Sequence, residues 1–167
     1  LQYLESYLAR QDQDPSAVFL GTFPPLRLHS IEDRLSRMLE TARFEVVVVS
    51  PWIKRPTWNR ISAPLQKFFR RGGRLVVFMR GRESDYRSGM SDDIQDEVRR
   101  LGGEILFVHS LHAKIYMIDR KEAIVTSANL SQGGIDDNYE AGVWLNDPHV
   151  IRDICAYVDG LYRCRQN

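Results

Sequence analysis

Residues 112–129 read HAKIYMIDRKEAIVTSAN, and the pattern of this stretch decides how the rest of the chain is read. Two apolar runs, Ala113 to Ile118 and Ala123 to Ser127, each suit a buried strand, and the turn at Asp119 to Glu122 is short enough for a hairpin. Polar groups collect where the strands end. His112 and Lys114 stand two apart on an extended chain, so both project from one face about 7 Å apart. An imidazole beside an ammonium suits an anion. Ser127 and Asn129 share parity at the end of the neighbouring strand and present a hydroxyl and an amide to one place. Asp119 has the opposite parity to His112 and reads as support for the turn.

Outward from this hairpin, helical and extended periodicities alternate. Ser30 is the expected N-cap of a helix through Ile31, Leu35, Met38 and Leu39, with Asp33 closing a capping box. Phe44 to Ser50 reads as a buried strand, Pro56 to Asn59 as a loop, and Ile61, Leu65, Phe68 and Phe69 as a helix that stops at Gly72-Gly73. Leu75 to Met79 is a second buried strand. Gly81 to Gly89 is a polar, basic loop, Ser91 caps a helix through Ile94, Val98 and Leu101, and Glu104 to Val108 is a third strand. Tyr139 to Leu145 is a last strand before a helix opened by Pro148. The expected fold is α/β: a mixed β-sheet flanked by helices on both faces. Residues 31–167 form that domain. Residues 1–30, with a short helix at Leu4 to Ala9 and a break at Pro24-Pro25, are expected to be an N-terminal extension.

The chain has 167 residues, 43% hydrophobic and 27% charged, which fits one domain with one core and excludes disordered and collagen-like classes. Its longest pure apolar run, Val46 to Val49, is far shorter than the roughly 18 residues of a membrane span, and no signal-peptide layout opens the chain. Cys155 and Cys164 would stand about 13 Å apart along the last helix and cannot bridge each other. A reducing, cytoplasmic setting is expected. Because Leu1 is not an initiator Met, a larger chain with further domains is expected too.

Net charge is +1, but its distribution is uneven: −2 from Leu1 to Pro51, +8 from Trp52 to Arg87 and −5 from Ser88 to Asn167. The middle block interleaves Trp52, Trp58, Phe68, Phe69 and Tyr86 with basic side chains, among them Lys54, Arg55, Arg60, Arg80, Arg82 and Arg87. Such a block suits a polyanion, and these six are the candidate nucleic-acid-binding residues.

His112-Ala113-Lys114, four residues, Asp119, six residues, then Thr126-Ser127-Ala128-Asn129 resembles the HxK(x)4D(x)6GSxN signature of the phospholipase D superfamily. Glu140 sits where that family places an acidic residue after its Asn. Val46 to Trp52 is similar to the family's strand ending in Ser-Pro, and Leu65 to Met79 to its helix-Gly-strand unit. Thr126 stands where the family usually has Gly. The resemblance covers roughly residues 31–161.

What it implies is a metal-independent phosphodiesterase that works through a covalent phosphohistidine and needs two copies of the motif at one site. This chain carries one copy, as do the small bacterial endonucleases of the superfamily, in which a homodimer brings two together. The implied site residues are His112, Lys114, Asn129, Glu140, Ser127 and Asp119, with Glu140 accepting the second ring proton of His112. No cofactor and no metal are expected: His109 and His112, three apart on a strand, would face opposite ways. The expected substrate is nucleic acid, DNA before RNA, without stable membrane insertion. Two alternatives remain on the sequence: a phospholipase D-type lipid phosphodiesterase or phosphatidyltransferase, and a catalytically silent nucleic-acid-binding module.

Overall fold

The computed structural model describes residues 15–81 and 89–166; the short helix expected at Leu4 to Ala9, and Arg82 and Arg87, lie outside the described residues. The strands are β1 (Ala17–Phe23), β2 (Leu28–His29), β3 (Glu45–Val49), β4 (Arg74–Arg80), β5 (Glu104–Val108), β6 (Ile115–Ile118), β7 (Glu122–Thr126), β8 (Glu140–Leu145) and β9 (Arg165–Gln166). Among the described residues four α-helices accompany them: α1 (Ser30–Thr41), α2 (Arg55–Arg70), α3 (Asp92–Arg100) and α4 (Pro148–Arg163). All nine strands form one sheet in the order β2-β1-β8-β7-β6-β3-β4-β5-β9. Strands β3, β4 and β5 run parallel, and every other pairing is antiparallel.

The near-continuous apolar runs follow from burial on both faces. Val46, Val48, Leu75, Val77, Tyr116 and Ile118 share one core with α1, α2 and α3. Val47, Val49, Val76, Phe78, Ile115 and Met117 share the other with α4. The expected mixed sheet with helices on both faces is the architecture observed.

Three local expectations are corrected. Residues expected to lie in an extension before Ile31 contribute β1 and β2, because Val18 and Leu20 turn inward in the alternation of a sheet strand while β1 pairs with β8. Pro24-Pro25 forms a short 3-10 turn between β1 and β2. Ser30 does not cap α1; it is the first helical residue, buried, and its Oγ both donates to the Gly21 carbonyl and accepts from the Gly21 N–H. Pro56 stands in the first turn of α2, where a missing N–H leaves no helical bond unmade.

Asp119 begins the β6–β7 turn with φ 52°, followed by Arg120 at the same value, the left-handed region that Asp tolerates better than most residues. It lies just past the end of β6 remote from His112, about 13 Å along the strand from Ile115. Its carboxylate accepts from the N–H groups of Arg43 (3.0 Å), Phe44 (2.7 Å) and Glu45 (2.8 Å), which fixes the start of β3. Asp119→Ala is therefore expected to lower unfolding free energy by about 1–3 kcal/mol in urea titration. The turnover number of the folded variant should be unchanged.

Candidate active site

Antiparallel pairing of Ile115 with Val49 brings the segment before β6 to the C-terminal end of β3, and Thr126 N–H donates to the Lys114 carbonyl (3.2 Å) from the end of β7. Three chain segments thus converge at one end of the sheet. Lys114 is 7% exposed, and its Nζ lies 3.3 Å from Nδ1 of the exposed His112 ring. No carboxylate pairs with this ammonium among the described residues. Asn129 follows β7, and its Oδ1 is buried without a hydrogen-bond partner among the described residues. A histidine, an ammonium and the Nδ2 donor of the Asn129 amide, all brought to this end of the sheet, are the kinds of group that hold an anionic oxygen, whereas the buried Oδ1 is an acceptor and cannot.

Glu140, at the start of β8, departs from expectation. Its carboxylate accepts from the Ser127 hydroxyl on one oxygen and from Asn138 Nδ2 (3.4 Å) on the other, rather than from His112. The register explains it: Thr126 pairs with Gly142, so Ser127 comes alongside Ala141 and takes its N–H (3.1 Å). Glu140 therefore holds Ser127. The same structure places Asp119 away from the group, so His112, Lys114, Ser127, Asn129 and Glu140 gather at this end and Asp119 does not.

A cavity of about 590 Å³ opens beside His112, Lys114 and Ser127 and runs between β7 and α4 past Val125, Asp153, Ile154 and Tyr157. Tyr157 and Asp153 had no signal in the sequence beyond their place in an amphipathic helix.

The family model described as cardiolipin synthase, PLD-like domain, matches residues 35–162. The chain belongs to this PLD-like family. A 42-residue stretch is 45% identical to the DISARM protein DrmC of Bacillus paralicheniformis, spanning 25% of this chain and 18% of that protein. NucT from Helicobacter pylori is similar in structure, with a TM-score of 0.73 at 17% identity over 89% of this chain and 98% of its own. Nuc from Salmonella typhimurium, a phospholipase D family member, gives 0.70 at 14% identity over 90% and 97%. At these identities the structural likeness establishes a shared fold.

Within this PLD-like domain the basic block is divided. Lys54, at the N-terminus of α2, and Arg80, at the C-terminus of β4, are exposed at the site's end of the sheet; neither has an ion pair among the described residues, and Lys54 Nζ lies 5.2 Å from the centre of the Trp52 ring. Arg55 instead pairs with Asp93 and with Glu97 (2.7 Å), and Arg60 with Asp136 and with Glu32 (2.9 Å). These ion pairs have electrostatic signatures. The Arg60 guanidinium holds the Asp136 carboxyl below its ordinary range, whereas burial pushes Glu32 upward. Lys67, Arg70 and Arg71 stand at the far end of α2, whose 16 residues carry the chain about 24 Å away from the site. Contiguity in sequence does not make one surface here.

Between Asn129 and Glu140 the chain makes a π-helical turn, Gly133–Asp137, that returns it to β8. A Cβ at Gly134 would lie 2.4 Å from the Asn129 carbonyl oxygen and 2.7 Å from its nitrogen, so only glycine permits this approach. The Gly133-Gly134 pair was visible in the sequence as a loop; its contact with Asn129 was not.

Proposed function

We propose that the protein is a metal-independent phosphodiesterase that cleaves nucleic acid, DNA before RNA, through a covalent phosphohistidine at His112. The observation that carries this reading is the buried Lys114 ammonium, without a carboxylate partner among the described residues, set against the ring of an exposed histidine. Such a cation binds the non-bridging oxygens of a phosphodiester and stabilises the charge that builds there in the transition state. Asn129 contributes its Nδ2 to the same oxygens, while Ser127, its hydroxyl proton committed to Glu140, braces the end of β7.

In the first step His112 Nε2 forms a bond to phosphorus as the bond to the leaving oxygen breaks, and a second acid protonates that oxygen. Water then attacks phosphorus and the P–N bond breaks, giving a phosphomonoester and restoring the ring. The acid that protonates the leaving oxygen has to be an imidazolium, whereas the attacking ring needs a bare Nε2. Two histidines at one site take the two roles, and the chain carries one copy of the motif, so in this reading the working enzyme is a homodimer with a His112 from each subunit. Sedimentation at micromolar concentration should show the dimer.

Lys54 and Arg80, with Arg82 and Arg87, bind the phosphate backbone in this reading; Arg55 and Arg60 meet it only through their outer faces. Binding should weaken with salt. Lys54→Ala and Arg80→Ala should each flatten the dependence of log affinity on log salt by about one unit, measured by titrating labelled duplex.

The PLD-like family description names cardiolipin synthase, which favours a second reading, transfer of a phosphatidyl group by the same histidine chemistry. A substrate panel separates the two. Cleavage of plasmid, single-stranded DNA or RNA with no release of headgroup from phosphatidylcholine or phosphatidylglycerol vesicles supports the nuclease, and the reverse supports the transferase.

A further inference from the structure

Asn129 has no secondary structure to hold it, yet both of its flanking peptides are anchored by buried hydroxyls from two different strand segments. Tyr116, 1% exposed on β6, donates its hydroxyl to the Ala128 carbonyl (2.7 Å). Ser50, fully buried just past β3, accepts the Leu130 N–H (3.2 Å) and donates to the Trp52 carbonyl (2.9 Å). Leu130 is further fixed through its own carbonyl, which takes the Lys54 N–H (2.9 Å).

We propose that Tyr116 and Ser50 are positioning residues for the reaction: their hydroxyls bracket Asn129 and set its amide at the height of Lys114. Lys114 is the residue just before β6 and Tyr116 the second residue of that strand, two apart in sequence on the chain that leads from the ammonium into the core. A rigid ring therefore carries the distance between the ammonium and the amide, in place of a flexible loop. Ser50 ties the same segment to β3, so the site keeps its geometry with respect to both strands. Burial pushes the Tyr116 phenol well above its ordinary range, which keeps it a donor throughout the working pH of the protein. The inference rests on the reading of Asn129 as a group that holds the phosphate.

The test is a double-mutant cycle on hydrolysis of bis(p-nitrophenyl) phosphate, with thermal midpoints recorded alongside. Tyr116→Phe keeps the ring and removes one tether; Ser50→Ala removes the other. Each should lower kcat about 10- to 100-fold with KM little changed, because the diester still binds but its oxygens are misaligned. In an Asn129→Ala background the same substitutions should lower kcat no further. Should one variant fail to fold, the other decides. Native kcat in both, or equal losses with and without Asn129, overturns the inference. Native kcat in Asn129→Ala itself overturns the underlying reading of the site, which makes the two failures distinct.

Discussion

His112→Ala is expected to abolish phosphodiester cleavage, with kcat falling at least about ten-thousandfold, while the thermal midpoint stays within experimental scatter of the native protein. The first half follows from the proposed chemistry, in which the variant has neither a nucleophile nor, in the second subunit of the proposed dimer, an acid. The second half follows from placement. The His112 ring is exposed, and its one polar contact among the described residues is with Lys114, so no core packing is lost. Activity disappearing without loss of fold separates a reacting group from a structural one. Mixing the variant with native protein adds a further expectation: hybrid dimers would hold one ring, and neither half-reaction can be completed by it.

Lys114→Met produces the second largest effect, and here activity and stability move in opposite directions. Removing the ammonium deprives the transition state of its buried cation and should lower kcat by about 10²- to 10³-fold, a loss typical of a preorganised charge-stabilising group. Lys114 is nevertheless a buried cation without a carboxylate among the described residues, a placement that opposes folding. Methionine fills the stem's volume with no charge to desolvate, so the thermal midpoint should hold or rise. A variant that lost both activity and stability would instead mark Lys114 as a structural residue.

These effects were legible early because they depend on residue type and spacing. Parity put His112 and Lys114 side by side, and their 3.3 Å contact agrees, whereas Asp119 is set apart by lying past the far end of β6 rather than by its face. Sheet and helices could be read from apolar periodicity wherever both faces of a strand are buried, as in β3, β4 and β6. Residues before Ile31 escaped because Val18 and Leu20 turn inward only through pairing with β8, which lies more than a hundred residues downstream. Ser30 has the composition of a cap, but Gly21 on the adjacent strand competes for its hydroxyl and wins.

At the site, the partner of Glu140 was misread for a related reason. The acidic position was visible, yet β7–β8 register decides which hydroxyl comes within reach, and that register delivers Ser127. Tyr116 and Ser50 passed for ordinary residues of buried strands, since nothing in a linear reading reveals that two hydroxyls from separate strand segments meet the peptides on either side of Asn129. The basic block misled in the opposite sense. Ten cations in one stretch suggested one patch, but α2 separates Lys54 from Arg70 along its length, and Asp93, Glu97, Glu32 and Asp136 occupy two of the arginines.

The central claim is that His112 itself becomes covalently attached to phosphorus, with no metal in the reaction. Rapid quenching of an oligonucleotide reaction in excess EDTA, at alkaline pH where a phosphohistidine survives, followed by peptide mass mapping, tests this most directly. Cleavage is expected to continue in EDTA, and the peptide containing His112 to carry a nucleotidyl adduct that forms and decays with turnover. Cleavage that stops in EDTA, or that proceeds with an unmodified His112 peptide at every time point, would contradict it.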